Sequence, residues 1–252
     1  MNKKIVLITG ASSGIGKATA VKFAQQGYDL ILCGRRENKL NELKNSFSKE
    51  VNAEILLFDV RDNKQVNKAI NSLSNKWKKI DILVNNAGNA HGFSSIDKGD
   101  IEDWDAMIDG NVKGLLYVSK AIIPQMVERK TGHIINLSSV AGKQTYENGG
   151  VYCASKRAVE ALSEGMRLDL TKHGIKITNI APGAVSTEFS EVRFKGNIDK
   201  ASKVYQGYEP LLAEDIADLI FYASNAPNRV TIADVTIYAK AQSAPTIIHK
   251  NN

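Results

Sequence analysis

Cysteine is nearly absent from this chain. Only Cys33 and Cys153 occur among 252 residues, and neither has a Cys or His partner at metal-ligand spacing. That usage suits a reducing cytosol. The four histidines, His91, His133, His173 and His249, are scattered, so no metal site is expected. No apolar run approaches the ~20 residues of a membrane span. The run Ile5 to Ile8 is too short for a signal-peptide core and reads as a buried strand. Linkers, repeats and low-complexity tracts are also missing. One domain over residues 1–252, placed in the cytoplasm, is the expectation.

Hydrophobic residues make up 43% of the chain, ample for a core, and the net charge is 33 − 27 = +6. A basic balance favours nucleic acid or anionic small molecules. The densest cluster, Lys76-Trp77-Lys78-Lys79, falls at a predicted helix end, where cations complement the helix dipole. The remaining cations are spread out, so neither a nucleic-acid partner nor a membrane is expected.

Short β-branched runs alternate with amphipathic segments of helical length. The runs are Ile5–Thr9, Leu30–Cys33, Ala53–Phe58, Ile82–Val84, His133–Leu137, Ile175–Ile180 and Val235–Ile237. The predicted helices are Gly16–Gln26, Glu37–Ser48, Lys64–Lys76, Trp104–Lys130, Tyr152–Lys172 and Glu214–Ser224. Such alternation indicates βαβ units and a parallel sheet. The strands are apolar throughout, as strands covered on both faces are. The fold class is therefore α/β, a Rossmann-type doubly wound domain with a seven-stranded parallel sheet. One long stretch, Pro182 to about Pro210, reads as irregular, and residues 183–212 are expected to form a substrate lid.

Two motifs carry chemistry. Tyr152 and Lys156 stand four residues apart at a predicted helix start, which puts a phenol and an amine on one helix face. A nearby ammonium lowers a phenol pKa, and such a tyrosine can exchange a proton with an alcohol or carbonyl. The same spacing also arises from a half-buried Tyr beside a snorkelling Lys. At the first βα junction stands Thr9-Gly10-Ala11-Ser12-Ser13-Gly14-Ile15-Gly16. Small residues let the backbone bend and approach a pyrophosphate at the helix N-terminus.

The Thr-Gly-x-x-x-Gly-x-Gly pattern resembles the opening signature of the short-chain dehydrogenase/reductase family. Further pieces match in order: Asn85-Asn86-Ala87-Gly88 after the fourth strand, Asn111, Ser139 thirteen residues before Tyr152, and Pro182-Gly183 with Thr187 four residues on. The resemblance covers essentially the whole chain. It implies hydride transfer between a nicotinamide and a substrate carbon. Tyr152 would be the acid/base. Lys156 would lower its pKa and bind the nicotinamide ribose, and Ser139 would hold the substrate oxygen. Asn111 would anchor a water leading to solvent. Cofactor contacts are implied for Gly10, Ser12, Ser13, Gly14, Ile15, Gly16, Asn86, Ala87, Gly88, Tyr152, Lys156, Pro182, Gly183, Val185 and Thr187. Asp59 and Val60 resemble the adenine-binding pair; Asp59 is equally placed to cap the next helix.

Cofactor choice turns on a missing acid. NAD-preferring relatives carry Asp at the position of Gly34, and here Arg35-Arg36 follow instead. Arginine binds phosphate through paired N–H bonds, so NADP is expected. The segment Thr187 to Phe194, Ala141-Gly142-Lys143 and the C-terminal Ala241-Gln242 to His249 resemble the NADP-dependent 3-hydroxy acid subgroup, which includes serine and L-allo-threonine dehydrogenases. Arg193 is the candidate for the substrate carboxylate; it could equally pair with Glu188 or Glu191, or lie at a subunit interface. Glu147 and Gly150 depart from the subgroup's Pro and Asn. Alternatives are a reductase of acyl-thioester, steroid or small carbonyl substrates, and a non-catalytic NADP sensor. Family members of this size are usually homotetramers, which would pair Trp104–Lys130 and Tyr152–Lys172 across the interface.

Overall fold

Along β1 (Ile5–Thr9) every residue is buried. Successive side chains of a strand point to opposite faces, so a strand buried throughout needs cover on both sides. Chain order then runs α1 (Gly14–Gln25), β2 (Asp29–Gly34), α2 (Glu37–Asn45), β3 (Ala53–Leu57), α3 (Asn63–Asn71), β4 (Ile80–Asn85) and α4 (Ile101–Ile108). A π-helical turn, Asp109–Lys113, leads into α5 (Gly114–Arg129), β5 (Gly132–Leu137), α6 (Val140–Lys143), α7 (Gly150–Leu170) and β6 (Ile175–Pro182). The remainder holds β7 (Val185–Ser186), α8 (Phe189–Arg193), α9 (Ile198–Lys203), β8 (Leu211–Leu212) and α10 (Ala213–Ser224). It ends in β9 (Asp234–Ile237), β10 (Gln242–Ala244) and β11 (Ile247–Ile248). The computed structural model describes residues 3–250.

Seven strands form one parallel sheet in the order β3-β2-β1-β4-β5-β6-β9. The expected doubly wound sheet is thus present. Val6, Ile8, Leu30 and Leu32 face Phe23, Leu40, Ile216 and Ile220 from α1, α2 and α10. Their neighbours Ile5, Leu7 and Ile31 face the opposite layer, where Val66, Ile70, Val118, Ile122 and Leu170 come from α3, α5 and α7. Phe23 anchors the first layer, with edge-on contacts to Tyr28 at 5.0 Å and Phe221 at 5.4 Å.

Three expectations change. The segment 104–130 is not one α-helix: Asp109–Lys113 takes π geometry, with Asn111 at its centre. The third helix stops at Asn71, where the Ser72 hydroxyl bonds the Ala69 carbonyl. Trp77 then turns inward to 8% exposure, with Lys76 over its ring, so the Lys-Trp-Lys-Lys cluster lies beyond the helix rather than at its end. The stretch from 182 to 210 is structured: β7 and β8 pair in parallel, and α8 and α9 lie between them, the second capped by Asn197.

Phe23→Ala removes a fully buried ring. It is expected to lower unfolding free energy in urea by about 3–5 kcal/mol; a loss under about 1 kcal/mol would show that α1 and α10 close over the gap.

Candidate active site

In an open parallel sheet the carboxyl ends of the strands leave a crevice, because the connections diverge there. Here it is a cleft of about 720 Å³. Gly10, Ser12, Ser13, Gly14 and Ile15 reach it after β1, and Arg35 and Arg36 after β2. Asp59 and Val60 follow β3, and Asn86, Ala87 and Gly88 follow β4. Ser139, Tyr152 and Lys156 follow β5, and Pro182 at the end of β6 leads into Gly183, Val185 and Thr187. Two expected residues stand behind its wall, Gly16 under the glycine turn and Asn111 behind Gly88.

The glycine turn is held by its neighbours. Gly10 and Gly14 have φ of +66° and +50°, a region L side chains rarely enter. The Thr9 hydroxyl accepts from the Asn86 and Ala87 N–H groups, and the Asn86 amide donates back to the Thr9 carbonyl. A Cβ on Gly10 would stand 2.9 Å from the Asn86 amide nitrogen; one on Gly16 would press on the Gly10 carbonyl oxygen. Pro182-Gly183 is fixed from the C-terminal hairpin, where Gln242 accepts from the Ala184 N–H at 2.9 Å.

Around the proton-transfer candidates burial dominates. Tyr152, on the first turn of α7, is 8% exposed and Lys156 is 6% exposed. Loss of hydration raises the phenol's pKa; Tyr146 raises it further, while the Ser139 hydroxyl and Arg193 oppose the rise. Lys156 is pushed down to about 8, chiefly by burial. Its Nζ donates to the Leu137 carbonyl at 2.9 Å and lies 6.0 Å from the Tyr152 ring centre. Burial outweighs the lowering expected from Lys156, and the phenol is held protonated. Ser139 is the N-cap of α6, its Oγ accepting from the Ala141 N–H, and Ser138 donates to the Lys156 carbonyl.

Asn111 is locked by three bonds: its amide donates to the Asn89 carbonyl and the Ser155 hydroxyl, and its Oδ1 accepts from the Asn89 N–H. The π turn delivers it there. A Cβ on Gly88 would meet Asn111 Oδ1 at 2.9 Å and Lys156 Nζ at 3.4 Å, so both groups converge behind that glycine.

Asp59 does not cap α3. Asp62 does, accepting from the Lys64 and Gln65 N–H groups. Asp59 instead holds Arg61 at 2.6 Å and Arg35 at 3.4 Å. Arg36 reaches Ser12 Oγ through Nε at 3.0 Å, Ser13 Oγ through Nη2 at 2.6 Å and Glu188 at 2.8 Å.

Arg193 lies in an adjoining pocket of about 270 Å³ that shares Tyr152 with the main cleft. Its guanidinium carbon is 4.9 Å from the Phe93 ring centre and 5.6 Å from those of Tyr146 and Tyr152. Its Nε and Nη2 are buried and have no hydrogen-bond partner among the described residues. Glu188 pairs with Arg36 and Lys39, not with Arg193. Phe93 and Tyr146 line this pocket, while Phe189, whose ring is 5.7 Å from that of Tyr152, lines the main cleft, and no spacing pattern marks the three. Among the described residues no cluster of His, Cys, Asp and Glu could hold a metal.

The residues fit a dinucleotide: a glycine cradle with no room for side chains, two arginines where an acid would bar a 2′-phosphate, and a buried proton donor beyond. Comparison with known proteins agrees. A family model described as short chain dehydrogenase matches residues 4–197. The NADP-dependent 3-hydroxy acid dehydrogenase YdfG of Escherichia coli K12 is 43% identical over 95% of this chain and 96% of its own. Sulfoacetaldehyde reductase 2 of Chromohalobacter salexigens is 41% identical, with 95% of each chain covered. The closed form of serine dehydrogenase complexed with NADP+ superposes with a TM-score of 0.92 at 42% identity, covering 98% of this chain and 100% of that one.

Gly16→Ala should abolish calorimetric binding of a nicotinamide dinucleotide while leaving the far-ultraviolet circular dichroism unchanged. Binding within about threefold of the parent, too small a difference to reflect a lost pocket contact, would mean that the turn moves aside.

Proposed function

This chain belongs to the short-chain dehydrogenase family, and from that premise we propose that it is an NADP-dependent oxidoreductase acting on the CH–OH group of a small 3-hydroxy acid such as serine or L-allo-threonine. One observation carries the substrate class. Arg193 presents buried, unpartnered N–H donors beside the Tyr152 ring. Aromatic faces steady the cation and leave Nε and Nη2 without partners, a pair of donors that suits a planar anion. Relatives named for 3-hydroxy acids, serine and an anionic aldehyde fit that demand.

When bound, NADPH would supply the hydride in carbonyl reduction and NADP+ would accept it in alcohol oxidation. Tyr152, held protonated by burial, donates its proton to the substrate oxygen in the carbonyl-reducing direction; in the alcohol-oxidising direction it first gives that proton up along the Lys156 route, and its phenolate then takes the one from the alcohol. The Ser139 hydroxyl, beside Tyr152, holds that oxygen as charge develops. Lys156 binds the nicotinamide ribose and carries the proton onward. Asn111 Oδ1, with a lone pair beyond its Asn89 bond, anchors the water leading to solvent. Gly10, Ser12, Ser13, Gly14, Ile15 and Gly16 cradle the pyrophosphate. Asp59 and Val60 take the adenine, Arg35 and Arg36 the 2′-phosphate, and Asn86, Ala87 and Gly88 back the ribose. Pro182, Gly183, Val185 and Thr187 take the nicotinamide. Residues 183–212 serve as the lid that brings Arg193 over the substrate.

We also infer a cytoplasmic homotetramer built through α5 and α7. Leu116 on α5 and Leu168 on α7, exposed at 37% and 75%, support that interface. No helix among the described residues is long and apolar enough to cross a membrane.

Tyr152→Phe is expected to reduce kcat about a hundred- to ten-thousandfold, the usual reach of one acid/base group. NADPH affinity should stay within about threefold, since binding does not use the lost proton. Retained turnover would assign the proton to another acid. Arg193→Met should raise KM for serine roughly thirtyfold or more, the loss of one charged partner, while an uncharged alcohol is oxidised as before. An unchanged KM would remove Arg193 from the substrate site, and activity on acetoacetyl thioesters instead of 3-hydroxy acids would move the enzyme to another substrate class.

A further inference from the structure

The cation expected to meet the cofactor's extra phosphate is already engaged. Arg36 Nη1 lies 2.8 Å from Glu188 Oε2, and Lys39 Nζ lies 2.8 Å from Glu188 Oε1. Each carboxylate oxygen thus has its own cation, and the Arg36 guanidinium also touches both serines of the glycine turn. Glu188 is separated from Arg36 by 152 residues of sequence. It sits at the root of the lid, between Thr187 and α8. Thr187 packs on the glycine turn so closely that a Cβ on Gly14 would meet it at 3.2 Å. Phe189 touches Tyr152, and Arg193 ends α8.

We infer that Glu188 is a built-in stand-in for the 2′-phosphate: it ties the lid root to Arg36 and Lys39, and an arriving 2′-phosphate displaces it. The inference rests on the NADP reading above. The three side chains are 41–46% exposed, and ion pairs at that exposure are weak. A phosphate monoester carries about −1.5 to −2 charge and three acceptor oxygens, against one charge on the carboxylate, so the exchange favours the phosphate. Lys39 and Arg36 together hold the Glu188 carboxyl down to about 2, so it stays anionic at any working pH.

Two consequences distinguish this from a chance surface pair. A dinucleotide lacking the 2′-phosphate leaves Glu188 in place, so the chain rejects it through a competitor as well as through a missing contact. Because α8 carries Phe189 at one end and Arg193 at the other, the anchorage of Glu188 also fixes where the segment bearing the substrate cation begins. Glu188 is therefore a specificity and positioning residue, not a catalytic one.

The test uses the whole ligand-free protein and two probes, adenosine 2′,5′-bisphosphate and 5′-AMP, in calorimetric titrations of the parent, Glu188→Gln and Glu188→Ala. Both variants should bind the bisphosphate about fivefold more tightly than the parent, the reach of a half-exposed ion pair, with AMP affinity unchanged. Equal bisphosphate affinity in parent and variants overturns the inference while leaving the NADP reading intact. A parent that prefers AMP overturns the NADP reading itself, and the displacement with it.

Discussion

A phenol and an ammonium buried side by side at the end of β5 set the terms for the rest of this molecule. Tyr152 and Lys156 are both under a tenth exposed. Burying polar and charged groups is unfavourable unless each finds partners. The surroundings supply them: the Leu137 carbonyl for Lys156, the Ser139 hydroxyl for Tyr152, and the Asn111 amide behind both. The desolvation that holds the phenol protonated and brings the amine to about 8 also makes a proton transfer between them depend on what enters the cleft. An anionic or hydroxylic ligand beside either group shifts the balance far more there than it would in water.

The parallel sheet makes such a cleft possible. Six strands end at one edge, and each contributes one task-bearing segment immediately after its last paired residue. The polar side chains just beneath bond to one another and to the flanking helices. Asn85 at the end of β4 donates to Asn136 on β5 and to Ser119 on α5, and Asn136 donates to Ser163 on α7. This chain of bonds joins the strands under the active edge to the helices that carry Lys156 and follow Asn111. The floor of the site is therefore a hydrogen-bonded network rather than loose loops, and β4, β5, α5 and α7 hold a common register beneath it.

Much of this was legible from local pattern. Period, apolar runs and the glycine turn place all seven strands of the main sheet to within two residues and put most of the expected cofactor residues just past a strand end. What escaped depends on contacts distant in sequence. Nothing in the run from Trp104 to Lys130 marks a π turn except its outcome, the delivery of Asn111 to Asn89 and Ser155. The lid read as irregular because its helices are about one turn long and have too few residues to show a period. The aromatic enclosure of Arg193 comes from Phe93, Tyr146 and Tyr152 in three separate segments, and no spacing rule links them. Asp59 fitted a cap in sequence but lost that place to Asp62, three residues nearer the helix and in register with its first free N–H groups.

The two halves of the cleft hold their arginines in different ways, and charge arithmetic explains the difference. On the cofactor side Arg35 rests on Asp59 and Arg36 on Glu188. An incoming phosphate carries more charge and more acceptors than either carboxylate, so exchange runs forward even though an ion pair must first break. On the substrate side the ligand is a single carboxylate. Were Arg193 paired with Glu188 or Glu191, binding would trade one carboxylate for another of equal charge and gain almost nothing. Three aromatic faces solve this. They steady the guanidinium through its π surface and leave Nε and Nη2 unpartnered. Those donors are costly to leave buried and bare, and a substrate carboxylate that reaches both of them relieves that cost in full. In the proposed reading, the cage around Arg193 is thus what lets a singly charged substrate be held firmly, next to the phenol that would protonate it.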